Sequence, residues 1–244
     1  MSQPEVLYLI PGQAPGDAEQ QRRQRIADEM IPAPVTVNWV DAGPAGIAAS
    51  IEEMWSASGL FRSAAEHELS YDALVIGCFG DPGLRGLREL LSIPVVGPAE
   101  TAIHTALQLA DSYGWITPLE RTVGMARSRA HELRCAEALT GVYSLDLDPA
   151  ELGQEAVLSQ GFIDVGKQAV TDGADILVPG CMTLAFAQRH DEVASELPVP
   201  ILDPLVLSLE QAATWARTGT LHSRHTYPEA DRKRLTRLLE KSVD

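Results

Sequence analysis

The segment Tyr71–Gly83 reads Y-D-A-L-V-I-G-C-F-G-D-P-G. Its four apolar residues Ala73–Ile76 lie between turn-forming residues and lack the alternation of a half-solvated strand, which predicts a buried strand of a parallel sheet. Cys78 therefore lies where this strand ends. Ligand sites of open parallel sheets lie at the carboxyl ends of the strands. Cys78 is thus a candidate catalytic residue, although free cysteines are more often small buried hydrophobes.

A second copy of this pattern favours the catalytic interpretation. Gly173–Thr183 reads G-A-D-I-L-V-P-G-C-M-T and places Cys181 after another apolar run. Each copy continues through a helix-like segment to a proline-centred strand, I-P-V-V-G-P at 93–98 and V-P-I-L-D-P at 199–204. Such self-similarity predicts two homologous halves, with the two cysteines at equivalent strand ends.

The repeat extends towards the amino terminus of each half. Leu9–Gln13 (L-I-P-G-Q) matches Ile116–Glu120 (I-T-P-L-E), and Val40–Ala45 (V-D-A-G-P-A) matches Leu145–Ala150 (L-D-L-D-P-A). Two equivalent strand ends that each carry a cysteine could face one another across a cleft.

Three motifs of the first copy resemble a known family. C-F-G-D-P-G-L from Cys78, I-P-V-V-G from Ile93 and A-E-T-A-x-H from Ala99 resemble the aspartate/glutamate/hydantoin racemase superfamily, and within it the hydantoin and allantoin racemases. The resemblance covers most of the chain. Two places depart from it: G-C-M-T at 180–183 replaces the expected G-C-A-G-M, and P-G-Q at 11–13 replaces an Asn-Pro-Asn common among relatives. These departures leave the substrate open.

The resemblance implies an α/β fold of two pseudo-symmetric lobes, each a short parallel sheet flanked by helices, with the active site in the inter-lobe cleft. We expect residues 1–97 plus 205–244 to form the first lobe, with Cys78, and residues 98–204 the second, with Cys181. The implied reaction is cofactor-independent racemisation or epimerisation of a 5-substituted hydantoin-like substrate such as hydantoin or allantoin. One cysteine would remove a proton from one face of the acidic carbon and the other would return a proton to the opposite face.

The same interpretation assigns substrate-contacting residues and expects neither a cofactor nor a metal. An aromatic ring at Phe79 suits a flat, uncharged heterocycle. The candidate substrate-binding residues are Gln13, Phe79, Gly80, Thr117, Met182 and Thr183.

Other activities of the same fold remain open. The superfamily also contains maleate cis-trans isomerases, amino-acid (Asp/Glu) racemases and arylmalonate decarboxylases. The presence of Cys78 disfavours the decarboxylase, which uses the second-lobe cysteine alone. Phe79-Gly80 in place of an Asn-Thr pair disfavours amino-acid and dicarboxylate substrates. A non-catalytic small-molecule binding protein is a further alternative, and a lowered thiol pKa would discriminate against it because a binder needs no thiolate.

Composition excludes several partner classes. A formal charge of -15 over 244 residues disfavours nucleic acid and anionic membranes, which attract basic surfaces. No segment has the roughly 18 uninterrupted apolar residues of a membrane span, and Met1–Pro11 lacks the features of a secretory signal. Three cysteines without a C-x-x-C spacing fit neither a disulfide framework nor a structural zinc site. We therefore expect a cytoplasmic protein with a small-molecule substrate, and a homo-oligomer is compatible with the sequence.

The turn after Cys78 suggests a local environment for the thiol. Asp81 and Pro82 are suited to the N-cap and first position of the following helix. Free amides at Phe79 and Gly80 could hydrogen-bond a developing enolate oxygen. A helix amino terminus beside Cys78 would lower the pKa of the thiol, so we expect at least one of the two cysteines to have a lowered pKa.

The remaining ionisable residues have structural interpretations. We expect a helix over 123–139 that carries a structural Cys135, a packed His104, and a helix over 228–243 that packs on the first lobe. Residues interpreted as solvated or surface-lying are Arg22, Arg23, Arg25, His222 and His225.

Overall fold

The structure, a computed structural model, describes residues 3–67, 70–147 and 155–231. It contains two parallel sheets, of four strands in the order β2-β1-β3-β4 and of three strands in the order β6-β5-β7. The strands are β1 Val6–Ile10, β2 Val35–Trp39, β3 Ala73–Ile76, β4 Val95–Val96, β5 Tyr113–Thr117, β6 Leu139–Ser144 and β7 Ile176–Pro179. An isolated parallel bridge from Leu177 to Ile201 adds the second proline-centred segment beside β7. The predicted α/β fold with two helix-flanked parallel sheets is confirmed.

Helices connect the strands, as parallel pairing requires. The helices are α1 Asp17–Met30, α2 Ser50–His67, α3 Leu84–Leu90, α4 Pro98–Leu109, α5 Val123–Glu132, α6 Glu155–Thr171, α7 Met182–Phe186, α8 His190–Ser195 and α9 Pro204–Thr218. Both sheets place their earliest strand, β1 or β5, in the centre. In each sheet the loops that follow the parallel strands emerge at the same edge, where the carboxyl ends of the strands lie. We call this edge the functional edge of the sheet.

The two halves repeat the same backbone hydrogen bonds at this edge. The Gly77 N–H donates to the Leu9 carbonyl at 2.7 Å, and the Gly180 N–H donates to the Ile116 carbonyl at 2.6 Å. Since Leu9 and Ile116 are matched in the sequence repeat, the cysteine that follows each glycine occupies an equivalent position.

The core is continuous between the two sheets. Every residue of β1, β3, β5 and β7 is buried. Two edge-to-face aromatic pairs join the halves: Tyr8 with Phe186 at 5.6 Å and Phe79 with Trp115 at 5.1 Å between ring centroids. Such pairs each contribute roughly 0.5–1.5 kcal/mol beyond their buried area. The halves therefore pack as one body. Where one predicted lobe ends and the other begins stays a prediction.

The boundary of one expected helix differs in the structure. The expected helix over 123–139 ends at Glu132, and Cys135 follows it after a residue with left-handed backbone, Arg134, at φ 59°. The segment after Cys181 forms two short helices, α7 and α8. Helix α2 runs unbroken through Gly59, where a β-carbon would lie 2.4 Å from the Ala42 carbonyl oxygen. Gly59 thus serves close packing.

The carboxyl-terminal segment binds the first half through side chains. Arg224 donates to the carbonyls of Leu91 at 2.6 Å and Arg88 at 3.0 Å. His222, expected on the surface, is half-buried, and its Nε2 accepts the Val95 N–H at 2.8 Å. Residues 228–231 are not helical, and the rest of the expected 228–243 helix lies outside the described residues. Among the helices described, none is both long and apolar enough to cross a membrane.

Candidate active site

A cavity of about 610 Å³ opens between the functional edges of the two sheets. Its size lies in the range of about 300–1,000 Å³ that is typical of small-molecule sites. The loops that follow β1, β2, β3, β5 and β7 line it. All eight predicted site residues line this cavity: Gln13, Cys78, Phe79, Gly80, Thr117, Cys181, Met182 and Thr183. Their functional roles stay predictions.

A glycine before each cysteine fixes the position of the thiol. A β-carbon at Gly77 would lie 2.6 Å from Ile10 Cγ1, and one at Gly180 would lie 2.1 Å from Trp115 Nε1. Only glycine allows the third strand of each sheet to approach the central strand this closely. The half-buried thiols of Cys78 and Cys181 consequently enter one cavity from opposite sheets.

The electrostatic environment of Cys78 differs from the expected one. Burial raises the pKa of the Cys78 thiol to about 12, the Gly80 N–H hydrogen bond opposes this rise, and the nearby Cys181, Asp81 and Glu53 add to it. The expectation of a lowered pKa is therefore wrong for Cys78. The Gly80 amide is also occupied by the Cys78 sulfur, so it is not a free donor for an enolate oxygen. Desolvation outweighs the single hydrogen bond that favours the thiolate.

Asp81 caps a different helix from the expected one. Its two carboxylate oxygens accept the N–H groups of Ala99 at 3.0 Å and Glu100 at 2.9 Å, at the start of α4. Gly97 makes room, because a β-carbon there would lie 2.5 Å from the carboxylate. In the second half Asp203 caps α9 within its own segment. Asp81 thus ties the turn after Cys78 to the helix that begins at Pro98, while burial raises the pKa of its carboxyl to about 7.

Thr117 offers the cavity a hydrogen-bond acceptor. Its hydroxyl lies 2.6 Å from the hydroxyl of Thr122, which itself donates to the Leu119 carbonyl at 2.7 Å. Because Thr122 has a single proton and uses it on Leu119, the shared proton comes from Thr117. Thr117, which lines the cavity, then keeps the capacity to accept a further hydrogen bond.

Arg23 is a site residue that the sequence interpretation missed. It was assigned to a solvated helix face, yet its side chain is 13% exposed and lines the cavity. The guanidinium lies over Phe186 at 4.9 Å and over Trp39 at 5.6 Å, and it donates to Glu19 at 2.8 Å. No local pattern could have found it, because Phe186 belongs to the other half.

An ion pair across the cleft was also missed. Arg129 of α5 donates to Glu53 of α2 at 2.6 Å, and both residues line the cavity. The two side chains are 22% and 20% exposed. Since 76 positions separate them in the sequence, spacing offers no signal for the pairing.

Cys135 lies outside the cavity, as its structural interpretation requires. It is buried, its sulfur donates to the Leu133 carbonyl at 3.2 Å, and His104 Nε2 lies 3.7 Å from that sulfur. Across residues 3–67, 70–147 and 155–231, no three His, Cys, Asp or Glu side chains form a group that could hold a metal ion.

A sequence comparison decides the family. The family model described as Asp/Glu/Hydantoin racemase matches residues 19–212. The chain belongs to this family. This match begins after β1 and leaves out Gln13, but it includes the other strands and both cavity cysteines.

Individual racemases of the family resemble the chain over most of its length. It is 35% identical to a hydantoin racemase of Paenarthrobacter aurescens over 72% of the chain and 76% of that protein. It is 32% identical to a hydantoin racemase of Pseudomonas sp. (strain NS671) over 77% of both chains. The structure of an allantoin racemase from Klebsiella pneumoniae superposes with a TM-score of 0.79, at 27% identity, over 93% of this chain and 94% of that one. The predicted superfamily, on its hydantoin and allantoin side, is confirmed, and so is the enzyme class, because racemases are isomerases.

Proposed function

We propose that the cleft racemises a 5-substituted hydantoin-like ring, hydantoin or allantoin, without a cofactor. The observation that carries the proposal is one cavity reached by two thiols, Cys78 and Cys181, from equivalent positions of opposite sheets. A planar carbanion intermediate needs an acid or base on each of its two faces, and a pair of thiols supplies one for each. The family and the similarity to hydantoin and allantoin racemases support the choice of substrate.

The reaction proposed here is a proton exchange at C5, the carbon between a ring nitrogen and a carbonyl. A thiolate takes the C5 proton, and the electron pair of the broken C–H bond moves into the adjacent carbonyl to form an enolate. The thiol on the opposite face then gives its proton to C5, and the electrons return from oxygen to restore the carbonyl. The product is the mirror image at C5, and the two cysteines have exchanged protonation states.

The raised pKa of Cys78 suggests that this cysteine starts as the acid. The pKa of Cys78 is raised to about 12, so its thiol keeps its proton at neutral pH and serves as the first proton donor. Cys181 then serves as the first base. We assign the Thr117 hydroxyl as an acceptor for a ring N–H, and we assign Phe79, whose buried ring packs edge-on against Trp115, to the cavity wall beside the substrate. Gln13, Gly80, Met182 and Thr183 complete the proposed substrate contacts.

The test is a panel of substrates in deuterated water. Single enantiomers of 5-substituted hydantoins, allantoin, aspartate and glutamate are incubated with the protein, together with maleate. NMR follows exchange at the acidic carbon and polarimetry follows racemisation. We expect both on hydantoins or allantoin and neither on the amino acids or maleate. Turnover of maleate or an amino acid alone would replace the proposed substrate class.

A reducing compartment suits two free thiols, and the cytoplasm stays the predicted location.

A further inference from the structure

The partly buried positive charges that line the cleft are already paired with carboxylates. Three arginines line the cavity: Arg23, Arg121 and Arg129. Arg121 is exposed at the rim. The two partly buried ones each donate to a carboxylate, Arg23 to Glu19 at 2.8 Å and Arg129 to Glu53 at 2.6 Å. The inner part of the cavity therefore presents paired rather than bare cations.

The second of these pairs lies beside the candidate catalytic thiol. A β-carbon on Gly80 would lie 3.7 Å from Glu53 Oε1 and 3.8 Å from Cys78 Sγ, so the carboxylate and the thiol flank the same glycine. Arg129 also binds Glu132 at 2.7 Å, but that side chain is 62% exposed and lies outside the cavity wall. Glu53 is thus the partner that faces the substrate space.

We propose that Glu53 determines the charge specificity of the cleft by occupying the guanidinium of Arg129. The inference rests on the proposed function for the identity of the accepted substrate. With Glu53 in place, an uncharged ring enters beside a paired cation, whereas a carboxylate meets a negative side chain and an arginine that already binds Glu53 and Glu132. Specificity of this kind combines an attractive fit with a repulsive element against the competitor.

The chemistry of the guanidinium explains why its partner matters. An arginine fork binds a carboxylate through two parallel N–H···O bonds, and it would bind a substrate carboxylate in the same way as it binds a side chain. Removing Glu53 leaves a partly buried cation facing the cavity with its inner donors free. Any small dicarboxylate can then take the vacated place.

The experiment measures binding, so it needs no turnover. Isothermal titration calorimetry at fixed ionic strength compares malonate, a small dicarboxylate, with unsubstituted hydantoin, a neutral ring. In Glu53→Gln, which keeps the shape of the side chain, malonate should bind at least about tenfold more tightly than in the wild type, equivalent to about 1.4 kcal/mol. Hydantoin affinity should change by less than about threefold, since a neutral ring gains no charge pairing.

Three further variants locate the effect. Glu132→Gln removes the exposed partner of the same arginine and should leave both affinities at the wild-type values. The double variant E53Q/R129Q removes the cation as well and should return malonate to weak binding, and R129Q alone should bind malonate no better than the wild type.

The inference is overturned if malonate binds E53Q no better than the wild type, or if the gain survives in the double variant. These outcomes differ from a failure of the proposed function. A wild-type protein that racemises no hydantoin refutes the reaction, whereas the comparison of malonate with hydantoin still tests charge selection by Glu53.

Discussion

The indole of Trp115 lies against the backbone of Gly180, so that a β-carbon there would be 2.1 Å from Nε1 and 2.6 Å from Cδ1. The Gly180 N–H also donates to the Ile116 carbonyl at 2.6 Å. We predict that Gly180→Ala displaces the strand end that carries Cys181. Overpacking of this kind costs about 1–3 kcal/mol of unfolding free energy, and the misplaced thiol should lower racemisation at least tenfold, about the cost of a lost positioning contact. Urea denaturation and polarimetry measure the two effects.

The matched control for this change is Gly161→Ala. Helix α6 runs through Gly161, and a β-carbon there would meet Leu145 at an ordinary 3.8 Å. Alanine in a helix interior is favoured over glycine by roughly 0.5–1 kcal/mol, so this variant should be slightly more stable and fully active. Equal losses in both variants would show that the contact with Trp115 is not the cause.

The reactivity of Cys78 should follow its raised pKa. With a pKa of about 12, caused chiefly by burial, the thiolate fraction of Cys78 in the empty cleft is small near neutral pH. Alkylation by iodoacetamide, followed by mass spectrometry of the Cys78 peptide, should be slower than that of a free thiol at pH 8 and should keep rising above pH 9. The variant Cys135→Ala should leave this profile unchanged, because Cys135 lies outside the cavity. A plateau at or below the free-thiol pKa of about 8.5 would contradict the burial argument.

His222 should make stability depend on pH. Burial, and then the charge of Arg88, lower the pKa of His222 from 6.5 to about 4, while its Nε2 accepts the Val95 N–H. Below about pH 6.5 the unfolded chain binds a proton at His222 that the folded chain refuses, so the contribution of His222 to the free energy of unfolding should fall as pH drops from 6.5 towards 4. The raised pKa of Asp81 acts in the opposite direction over the same range. Urea midpoints measured from pH 7.5 to 4.5 test this.

A glutamine at this position separates the titration from the packing. His222→Gln keeps an acceptor for Val95 but does not titrate, so its urea midpoint should rise relative to that of the wild type as pH drops from 6.5 towards 4. His225→Gln changes an exposed residue and should leave the pH dependence as it is. An equal slope in the wild type and His222→Gln would assign the acid sensitivity to other groups.

The sequence predicted those parts of the site that depend on local pattern and repetition. Apolar runs predict the buried strands before Cys78 and Cys181, and the internal repeat predicts that Leu9 and Ile116 are equivalent. In the structure Leu9 and Ile116 pair with the last residues of these two strands in the same register. Parallel sheets bring the carboxyl ends of their strands to one edge, so the common cavity could be inferred without coordinates.

The predictions that were wrong and the site contacts that were missed depend on packing between segments that are distant in the sequence. Arg129 pairs with Glu53 of the other half, and Asp81 caps the helix that begins seventeen positions after it, at Pro98, rather than the one that follows it directly. The pKa of Cys78 was misjudged because burial depends on the packing of both halves, whereas the sequence displays only the local turn.

The last prediction concerns the division of labour between Cys78 and Cys181. In a two-base reaction each thiol serves one face of C5, so removing one leaves the other able to take a proton from the enantiomer that presents its hydrogen to it. Cys78→Ala should therefore stop net racemisation but retain solvent exchange of one enantiomer, and Cys181→Ala should retain exchange of the other. Each single change should lower racemisation at least about a hundredfold, the usual effect of removing a positioned acid or base.

Serine variants sharpen the test because they keep the shape of the side chain. A hydroxyl is far less acidic than a thiol, so Cys78→Ser and Cys181→Ser should be impaired as severely as the alanine variants. NMR exchange and polarimetry are run on the same samples, with Cys135→Ala as the control that retains wild-type rates. If one cysteine variant keeps full activity while the other loses it, the reaction uses a single thiol. A one-cysteine chemistry such as decarboxylation then becomes the better explanation of the site, because it needs an acid on one face of the carbon alone.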